Sequence, residues 1–223
     1  LGLNGSLNLG ASRANYFKEN GSINMNYRFN ETLNLYGNYG VRNGKTKIIS
    51  NSVRKIEAGN NFNQLGDTDT EYLSQSFGTG IDIEKNRHSL NLYMNGVYNT
   101  STDLSTANTE LSSFQLDSIV NFTGNTDRKL TNFSFGIKHK FTIDTTGGYI
   151  ETNLDYYPST FDSKTNQSTL FFDPMMQILA PDFHERFTTP STINLKAGSL
   201  DFLKQTKFGE LDAGWKTSIA HSN

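Results

Sequence analysis

The sequence predicts an all-β fold, an antiparallel up-and-down β-barrel whose strands cross a membrane. Three observations predict it. Apolar and polar residues alternate with a period of two over segments of about ten residues. Very short connections alternate with very long ones, and the polar positions carry many Asn, Ser, Lys, Glu and Asp side chains. Since successive side chains of a strand point to opposite sides, each segment has one apolar and one polar face.

The composition agrees with two-faced strands. Hydrophobic residues make up only 35% of the 223 residues, whereas aromatic residues reach 12%, with 16 Phe and 10 Tyr. A globular chain that buries its own core is usually more hydrophobic, and a disordered chain has fewer aromatics. The net charge of −2 gives no sign of a nucleic-acid partner. With no cysteine, a disulfide scaffold and a Cys-based metal site are excluded.

The strands follow from the alternation, segment by segment. The clearest segments are 1–11, 23–29, 33–41, 73–83, 90–98, 133–141, 150–156, 193–203 and 211–219. We expect ten strands, or nine if the first is only partly present. In 193–203 the apolar residues change from odd to even positions, which predicts a β-bulge around Gly198 and Ser199.

The connections define a repeating unit of strand, tight turn, strand and long loop. Long polar loops are expected at 43–71, 100–128 and 158–191, with a shorter connection at 12–20. The run Leu33-Asn34-Leu35-Tyr36 returns as Leu90-Asn91-Leu92-Tyr93, each just after a tight turn. In membrane barrels the tight turns lie on the periplasmic side and the long loops face outward. The expected tight turns are 30–32, 85–87, 144–148 and 204–207.

A soluble β-sandwich would give the same alternation. The segments run to about 9 to 13 residues, which matches a tilted membrane strand better than the shorter strands of most sandwiches. Aromatic residues near the strand ends fit the interfacial girdles of a barrel, although a sandwich core would also use them. These aromatics are Tyr27, Phe29, Tyr98, Phe141 and Trp215. We therefore favour the membrane barrel over the sandwich.

Several of these runs resemble a known family. Gly5-Ser6-Leu7-Asn8-Leu9-Gly10, Ser22-Ile23-Asn24-Met25-Asn26-Tyr27-Arg28-Phe29 and Leu33-Asn34-Leu35-Tyr36-Gly37-Asn38-Tyr39 are similar to the barrel of TonB-dependent outer-membrane receptors, of the type common in Bacteroidota. The run Gly209-Glu210-Leu211-Asp212-Ala213-Gly214-Trp215-Lys216-Thr217-Ser218 resembles a strand opening that recurs there. The resemblance covers most of the chain, but it lies in patterned strands rather than in a catalytic signature.

The resemblance implies a barrel of about 22 strands in the bacterial outer membrane, an N-terminal plug domain inside it, and an inner-membrane energy-coupling complex. The sequence contains no plug, no coupling motif and no C-terminal aromatic residue. We therefore expect 1–223 to be one partial outer-membrane β-barrel domain, an internal segment without the plug domain or the terminal strand. The expected partners are outer-membrane lipid, a surface lipoprotein and the energy-coupling complex.

The expected function is non-enzymatic uptake of a solute across the outer membrane. Two alternatives remain open: a structural or assembly barrel that acts as a platform for partner proteins, and a small closed passive channel. No cofactor is expected, and no single residue can be assigned to catalysis, to a metal or to ligand binding. Positioning of the solute is assigned to the lumen face as a whole. Its residues are Asn24, Arg28, Asn95, Lys138, Lys140, Glu151 and Asp155.

Other candidate sites have ordinary explanations. The histidines His88, His139, His184 and His221 have no metal-ligand spacing, and His139 is expected at the membrane interface. No nucleophile-elbow G-x-S-x-G is present. The acidic residues of 67–71 are expected in a solvated loop, since the calcium-loop spacing is absent. The apolar run 170–179 could contact a ligand or a partner lipoprotein, but we favour loops that pack on one another.

Overall fold

The computed structural model describes residues 2–55, 60–113 and 115–223, which form nine strands in one sheet. Leu1, the first predicted apolar position, and 56–59 and 114 of the predicted loops lie outside the described residues. The described part of the chain contains no helix long and apolar enough to cross a membrane. The strands are β1 (Gly2–Arg13), β2 (Phe17–Arg28), β3 (Leu33–Lys55), β4 (Asn60–Lys85), β5 (His88–Ser113), β6 (Gln115–Thr142), β7 (Tyr149–Phe172), β8 (Phe183–Thr206) and β9 (Gly209–Ser222).

The topology is antiparallel and up-and-down, as predicted. Every strand pairs with its neighbours in sequence, in the order β1 to β9. The all-β class is thereby confirmed. The described residues form nine strands, which is the lower of the two expected counts, and not ten. The sheet does not close on itself here, because β1 and β9 form its two edges.

The predicted long loops are wrong for most of their described residues, which form strands; within 158–191 only 173–182 remains a connection. The shorter connection expected at 12–20 is reduced to 14–16 for the same reason. β3 and β4 pair from Leu33 and Ile83 out to Lys55 and Asn61, and β6 and β7 pair out to Ile119 and Phe172. These polar runs lack apolar alternation, yet their Thr and Ser side chains favour strands and pair across them. Thr68 and Ser105 hydroxyls lie 3.1 Å apart, and the Thr70 hydroxyl donates to Asp103 at 2.7 Å.

The sheet is a single layer without a core of its own. Among the described residues no hydrophobic side chain is buried. Phe135, in the middle of the sheet, is 39% exposed, and Trp215 is 63% exposed. A sandwich would have sealed both between two sheets. The apolar face therefore has to be covered by something other than the described residues.

The register sorts the strands into two faces, since directly opposed residues point to the same side. One continuous row joins Leu35, Ile81, Leu92, Ile137 and Leu154 across β3 to β7. We call the side of this row the apolar face and the opposite side the polar face. Each face therefore extends unbroken from strand to strand.

The bulge expected at Gly198 and Ser199 is absent. The pairing of β8 with β7 and with β9 runs through these residues without a shift. A shift occurs instead in β5, between Leu111 and Ser112. The apolar residues of β8 change from odd to even positions because some of them lie on the polar face. Ala197 lies on the polar face opposite Asp155, and Leu200 lies on the apolar face opposite Trp215.

Successive hairpins are staggered along the sheet. Leu33, Ile83 and Leu90 share a row, so the start of β5 at His88 lies two residues further toward the tight turns than the start of β3. By the same comparison β7 starts one residue beyond β5, and β9 starts three beyond β7. The total stagger is six residues between β3 and β9, which are six strand spacings apart. From the rise per residue and the spacing between strands, each strand is tilted by about 35° from the perpendicular to the line that joins the tight turns. Barrel closure requires a tilt of this size.

The tight turns lie where they were predicted, at one end of the sheet. In the turn between β6 and β7 the Asp144 carboxylate accepts hydrogen bonds from the Thr146 hydroxyl at 2.7 Å and from the amides of Thr146 and Gly148 at 3.0 and 3.1 Å. The hydroxyl of Thr146 and the amide of Gly148 lower the pKa of Asp144 below its ordinary value of 3.8.

We expect this turn to loosen in acid. A carboxyl whose pKa is lower in the folded state stabilises that state above the ordinary pKa, and the stabilisation is lost as the pH falls through the lowered value. Below pH 3.8 the amides of Thr146 and Gly148 should therefore lose protection from hydrogen exchange. Asp144→Asn cannot ionise, so its protection should be lower and insensitive to pH. An unchanged acid response in that variant would contradict the assignment.

Candidate functional site: the polar face

The polar residues assigned to a lumen share one face of the sheet. Asn24 and Asn95 belong to one row, joined through Asn38 and Gly78. Arg28 and Lys138 belong to another, joined through Asn34, Asp82 and Asn91. The remaining three, Lys140, Glu151 and Asp155, lie on the same side because Lys140 is opposite Glu151 and Asp155 is opposite Gly136.

Near the tight turns the polar face carries a chain of hydrogen bonds across four strands. The Asn34 amide nitrogen donates to Asn26 at 2.9 Å and to the Asp82 carboxylate at 3.1 Å. On the other side of Asp82, the Asn91 amide nitrogen donates to the second carboxylate oxygen at 2.6 Å. Both carboxylate oxygens therefore have a partner, which fixes these side chains while they face outward from the sheet.

Two tyrosines lie across glycines on this face. Tyr36 is opposite Gly80 and its hydroxyl accepts from the Asn91 amide at 2.9 Å, one strand further on. Tyr93 is opposite Gly136 and its hydroxyl donates to Asp155 at 2.5 Å, again one strand further on. A Cβ at either glycine would overlap the tyrosine ring. The glycines thus leave room for a ring to lie flat along the sheet and join three strands.

The same pattern of paired polar groups continues onto β8. The Lys138 ammonium lies 2.8 Å from the Glu151 carboxylate, and the Asn153 amide donates to Glu151 at 3.3 Å and to the Ser199 hydroxyl at 3.1 Å. The face therefore presents ordered groups of both charge signs, with little net charge. Such a surface can hold hydrogen-bonding solutes or a polar protein surface through many weak contacts.

A small pocket lies at the turn end of this face. It has a volume of about 190 Å³ and is lined by groups that include Arg28, Glu31, Asn34, Asp82 and Glu84. The side-chain oxygen of Asn34 is buried and has no hydrogen-bond partner among the described residues. Such an acceptor can take a hydrogen bond from water or from another molecule that enters the pocket.

The alternation predicts the polar face but not the hydrogen bonds that cross it. The repeated Leu-Asn-Leu-Tyr run marks Tyr36 and Tyr93 without indicating what their hydroxyls bind. The structure explains the repeat. Each copy places one asparagine and one tyrosine on the polar face, and both side chains form hydrogen bonds to neighbouring strands. The first copy contributes Asn34 and Tyr36, and the second contributes Asn91 and Tyr93. A glycine directly opposite each tyrosine was the signal that could have identified the pairs.

The acidic residues placed in a solvated loop lie in β4 instead, which corrects that prediction. Lys45 lies 3.3 Å from Asp69 and from Glu71, Lys47 pairs with Asp67, and the Tyr16 hydroxyl donates to Asp69 at 2.9 Å. Partial desolvation acts to raise the pKa of Asp69, but the bonds from Tyr16 and Lys45 outweigh it and lower that pKa. The charges of this patch are therefore paired. The patch lies on the same side of the sheet as the apolar face, but further from the tight turns than the last row of apolar residues.

Two of the four histidines are neighbours. The Nδ1 atom of His88 lies 3.1 Å from Nε2 of His139, and the rings stack with centroids 5.3 Å apart beside Phe141. His184 lies 3.0 Å from Asp182 near the far end of the β7–β8 hairpin. Within the described ranges, no group of three or more His, Cys, Asp or Glu residues could hold a metal ion.

The apolar run 170–179 forms the far end of the β7–β8 hairpin and stands out in solvent. Met175 is 82% exposed, Ile178 65% and Leu179 58%, so the preferred interpretation that loops pack here is wrong for the described residues. The Asp173 carboxylate accepts from the amides of Met175 and Gln177 at 2.9 and 2.8 Å. Met176 has a left-handed φ of 61°, which is costly for a residue of its kind. The turn is therefore ordered and holds its apolar side chains outward.

The fold and this face together define an antiparallel up-and-down sheet with one apolar and one ordered polar side. No family model matches the chain, and no curated protein matches it. Similar solved structures include BauA, the ferric preacinetobactin receptor from Acinetobacter baumannii, at 14% identity and a TM-score of 0.44, covering 91% of this chain and 34% of that one. The chain thus spans about a third of the length of BauA.

Two further solved structures are more distant. The siderophore receptor PiuA from Acinetobacter baumannii matches at 8% identity and a TM-score of 0.25, covering 99% of this chain and 46% of that one. The monoaromatic hydrocarbon channel CymD matches at 9% identity and a TM-score of 0.21, covering 99% of this chain and 76% of that one.

Proposed function

We propose that the chain forms part of the wall of an outer-membrane barrel that takes up a solute, without catalysing a reaction. One observation carries the proposal: the sheet is a single layer in which no described hydrophobic side chain is buried, and it exposes a continuous apolar face opposite a hydrogen-bonded polar face. Lipid covers such an apolar face, and a water-filled lumen accommodates such a polar face. In the membrane the two free edges must be closed, so further strands complete the barrel.

The dimensions support a membrane location. On β5 the apolar face runs from Leu90 to Tyr98 before hydroxyl and charged residues take over. Eight residue steps at the tilt derived above span roughly 22 Å along the membrane normal. The apolar band of outer-membrane barrels is about 25 Å tall. The tight turns then lie near one membrane surface, and β3 to β8 extend far beyond the other.

The polar pocket supports gating by a plug. Its lining groups, including Asp82, Glu84 and the Asn34 oxygen that no described residue contacts by a hydrogen bond, mainly accept hydrogen bonds, and Arg28 is the one cation among them. A plug segment that donates hydrogen bonds would bind the Asn34 oxygen and the carboxylates of Glu31 and Glu84, and its removal would open the lumen. An energy-coupling complex acting through that plug would make uptake active.

Uptake in cells tests this function. Cells that lack the gene should fail to accumulate at least one of three solute classes, namely labelled ferric siderophores, oligosaccharides or oligopeptides. A protonophore should abolish the uptake in wild-type cells. Normal accumulation of all three by the deletion strain would contradict the proposal. Rapid leakage of small solutes from vesicles that contain the purified protein would instead favour the passive channel.

We further propose that the apolar end of the β7–β8 hairpin contacts a surface lipoprotein. On β7 the apolar face ends at Pro158, after which Thr160 and Asp162 follow on the same side. Asp173 lies fifteen residues beyond Pro158, which places the hairpin end roughly 40 Å beyond the apolar band at the same tilt. Lipid cannot cover apolar groups at that height, so a protein partner is the fitting occupant.

Affinity purification from outer membranes tests this contact. Met175→Asp with Ile178→Asp should remove a co-purifying lipoprotein, because a carboxylate in an apolar contact is desolvated without a partner. The matched control is Thr188→Asp, on the same hairpin but away from its end. Equal recovery of the lipoprotein with both variants would contradict the proposal.

A further inference from the structure

A groove lies on the apolar face, across the middle of the sheet. Its volume is about 650 Å³, within the range of sites that hold small molecules. Its lining includes Ile81, Leu92, Met94, Phe135, Leu154 and Lys196, contributed by five neighbouring strands. All six side chains belong to the apolar face by register. The groove therefore opens toward whatever covers that face.

Lys196 is the only charged residue among these six. It shares a row with Met94, Phe135, Tyr156 and Ile219. No ion pair involves Lys196 within the described ranges, and its nearest aromatic contact is the Tyr156 ring, 6.0 Å from the ammonium. An unpaired cation on a hydrocarbon-facing surface is costly, so such residues usually have a function or reach the interface.

The stagger of the sheet gives Lys196 its depth. It precedes the end of β8, at Thr206, by ten residues, which is roughly 28 Å along the membrane normal. Leu92 and Leu154 lie only four and five residues from the starts of their strands, and hence near mid-depth. The groove thus runs from the middle of the membrane toward the membrane surface that lies opposite the tight turns. Lys196 lies at the end of the groove nearest that surface.

We infer that the groove binds an acyl chain of a membrane lipid whose phosphate pairs with Lys196. The inference rests on the proposed membrane location. An apolar channel with one cation at the height of the headgroups matches the shape and charge of an anionic lipid. Lipid is preferred to a partner protein because the groove crosses a sheet face, where every strand backbone is already paired and no strand can be added.

Native mass spectrometry of the purified protein with added phosphatidylglycerol tests the inference. Lys196→Gln should lower the bound phosphatidylglycerol about five-fold, since one basic residue contributes an attraction of that size. Lys196→Arg should restore it. The matched control is Lys129→Gln, which removes a lysine on the same face, 5.5 Å from the Tyr98 ring and outside the groove. That control should bind as much lipid as the wild type.

Three results would overturn the inference: equal lipid loss in Lys196→Gln and Lys129→Gln, equal binding of phosphatidylcholine, or a second protein chain retained in place of lipid. Vesicle flotation separates these failures from failure of the proposed function. If the wild type does not float with vesicles, the membrane location itself is wrong. If it floats and Lys196→Gln binds lipid normally, only the lipid site is wrong.

Discussion

Met94→Arg is expected to cost about 2–4 kcal/mol of folding free energy in lipid vesicles, the cost of a cation facing the middle of a bilayer. Met94 lies on the apolar face between Leu92 and the end of the apolar band on β5, opposite Phe135. Urea unfolding in vesicles, followed by the fluorescence of Trp215, the one tryptophan of this chain, measures the change.

The adjacent residue supplies the control. Asn95 points to the polar face and donates to the Ser134 hydroxyl at 3.3 Å. Asn95→Arg places the same charge at nearly the same depth, on the side proposed to meet water, so it should cost less than about 1 kcal/mol. Equal costs for the two variants would show that the faces do not meet different media.

Gly136→Ala is expected to cost about 1–3 kcal/mol, because overpacking forces neighbouring groups to move. The new methyl group would overlap the Tyr93 ring, which lies directly across Gly136. Moving the ring breaks the 2.5 Å hydrogen bond from the Tyr93 hydroxyl to Asp155. The same unfolding experiment detects the loss.

Two controls separate this effect from a general cost of changing glycine. At Gly37 the nearest atom to an added Cβ is 3.5 Å away, an ordinary contact, so Gly37→Ala should be neutral or slightly stabilising. In a Tyr93→Ser background, Gly136→Ala should lose most of its cost, giving a double-mutant coupling of at least about 1 kcal/mol. Additive costs would contradict the role of the tyrosine–glycine pair.

Much of the fold could be predicted because a strand with one face in an apolar medium has apolar residues at every second position. Leu90, Leu92 and Met94 show that period, and the structure places them on one face of one strand. The turns were also predictable, since residues such as Asn86, with a left-handed φ of 55°, suit tight hairpins.

The rest could not be predicted from that signal. Beyond the apolar band both faces are polar, so the strands continue through backbone pairing and hydroxyl contacts such as Thr126 with Thr165, without any apolar period. The bulge in β8 was predicted wrongly because Leu195 is apolar but lies on the polar face, whereas Leu200 lies on the apolar face. Residue type alone does not show which face a side chain occupies. The bonds of Tyr36 and Tyr93 depend on the register between strands, which no single segment encodes.

A cysteine scan along β5 tests most directly whether one face meets hydrocarbon and the other meets water. This chain has no cysteine, so each substitution introduces the only thiol within it. In intact vesicles, a membrane-impermeant maleimide should label cysteine at Asn91, Tyr93 and Asn95 and leave cysteine at Leu90, Leu92 and Met94 unlabelled. Labelling of both sets, or of the second set alone, would contradict a membrane barrel.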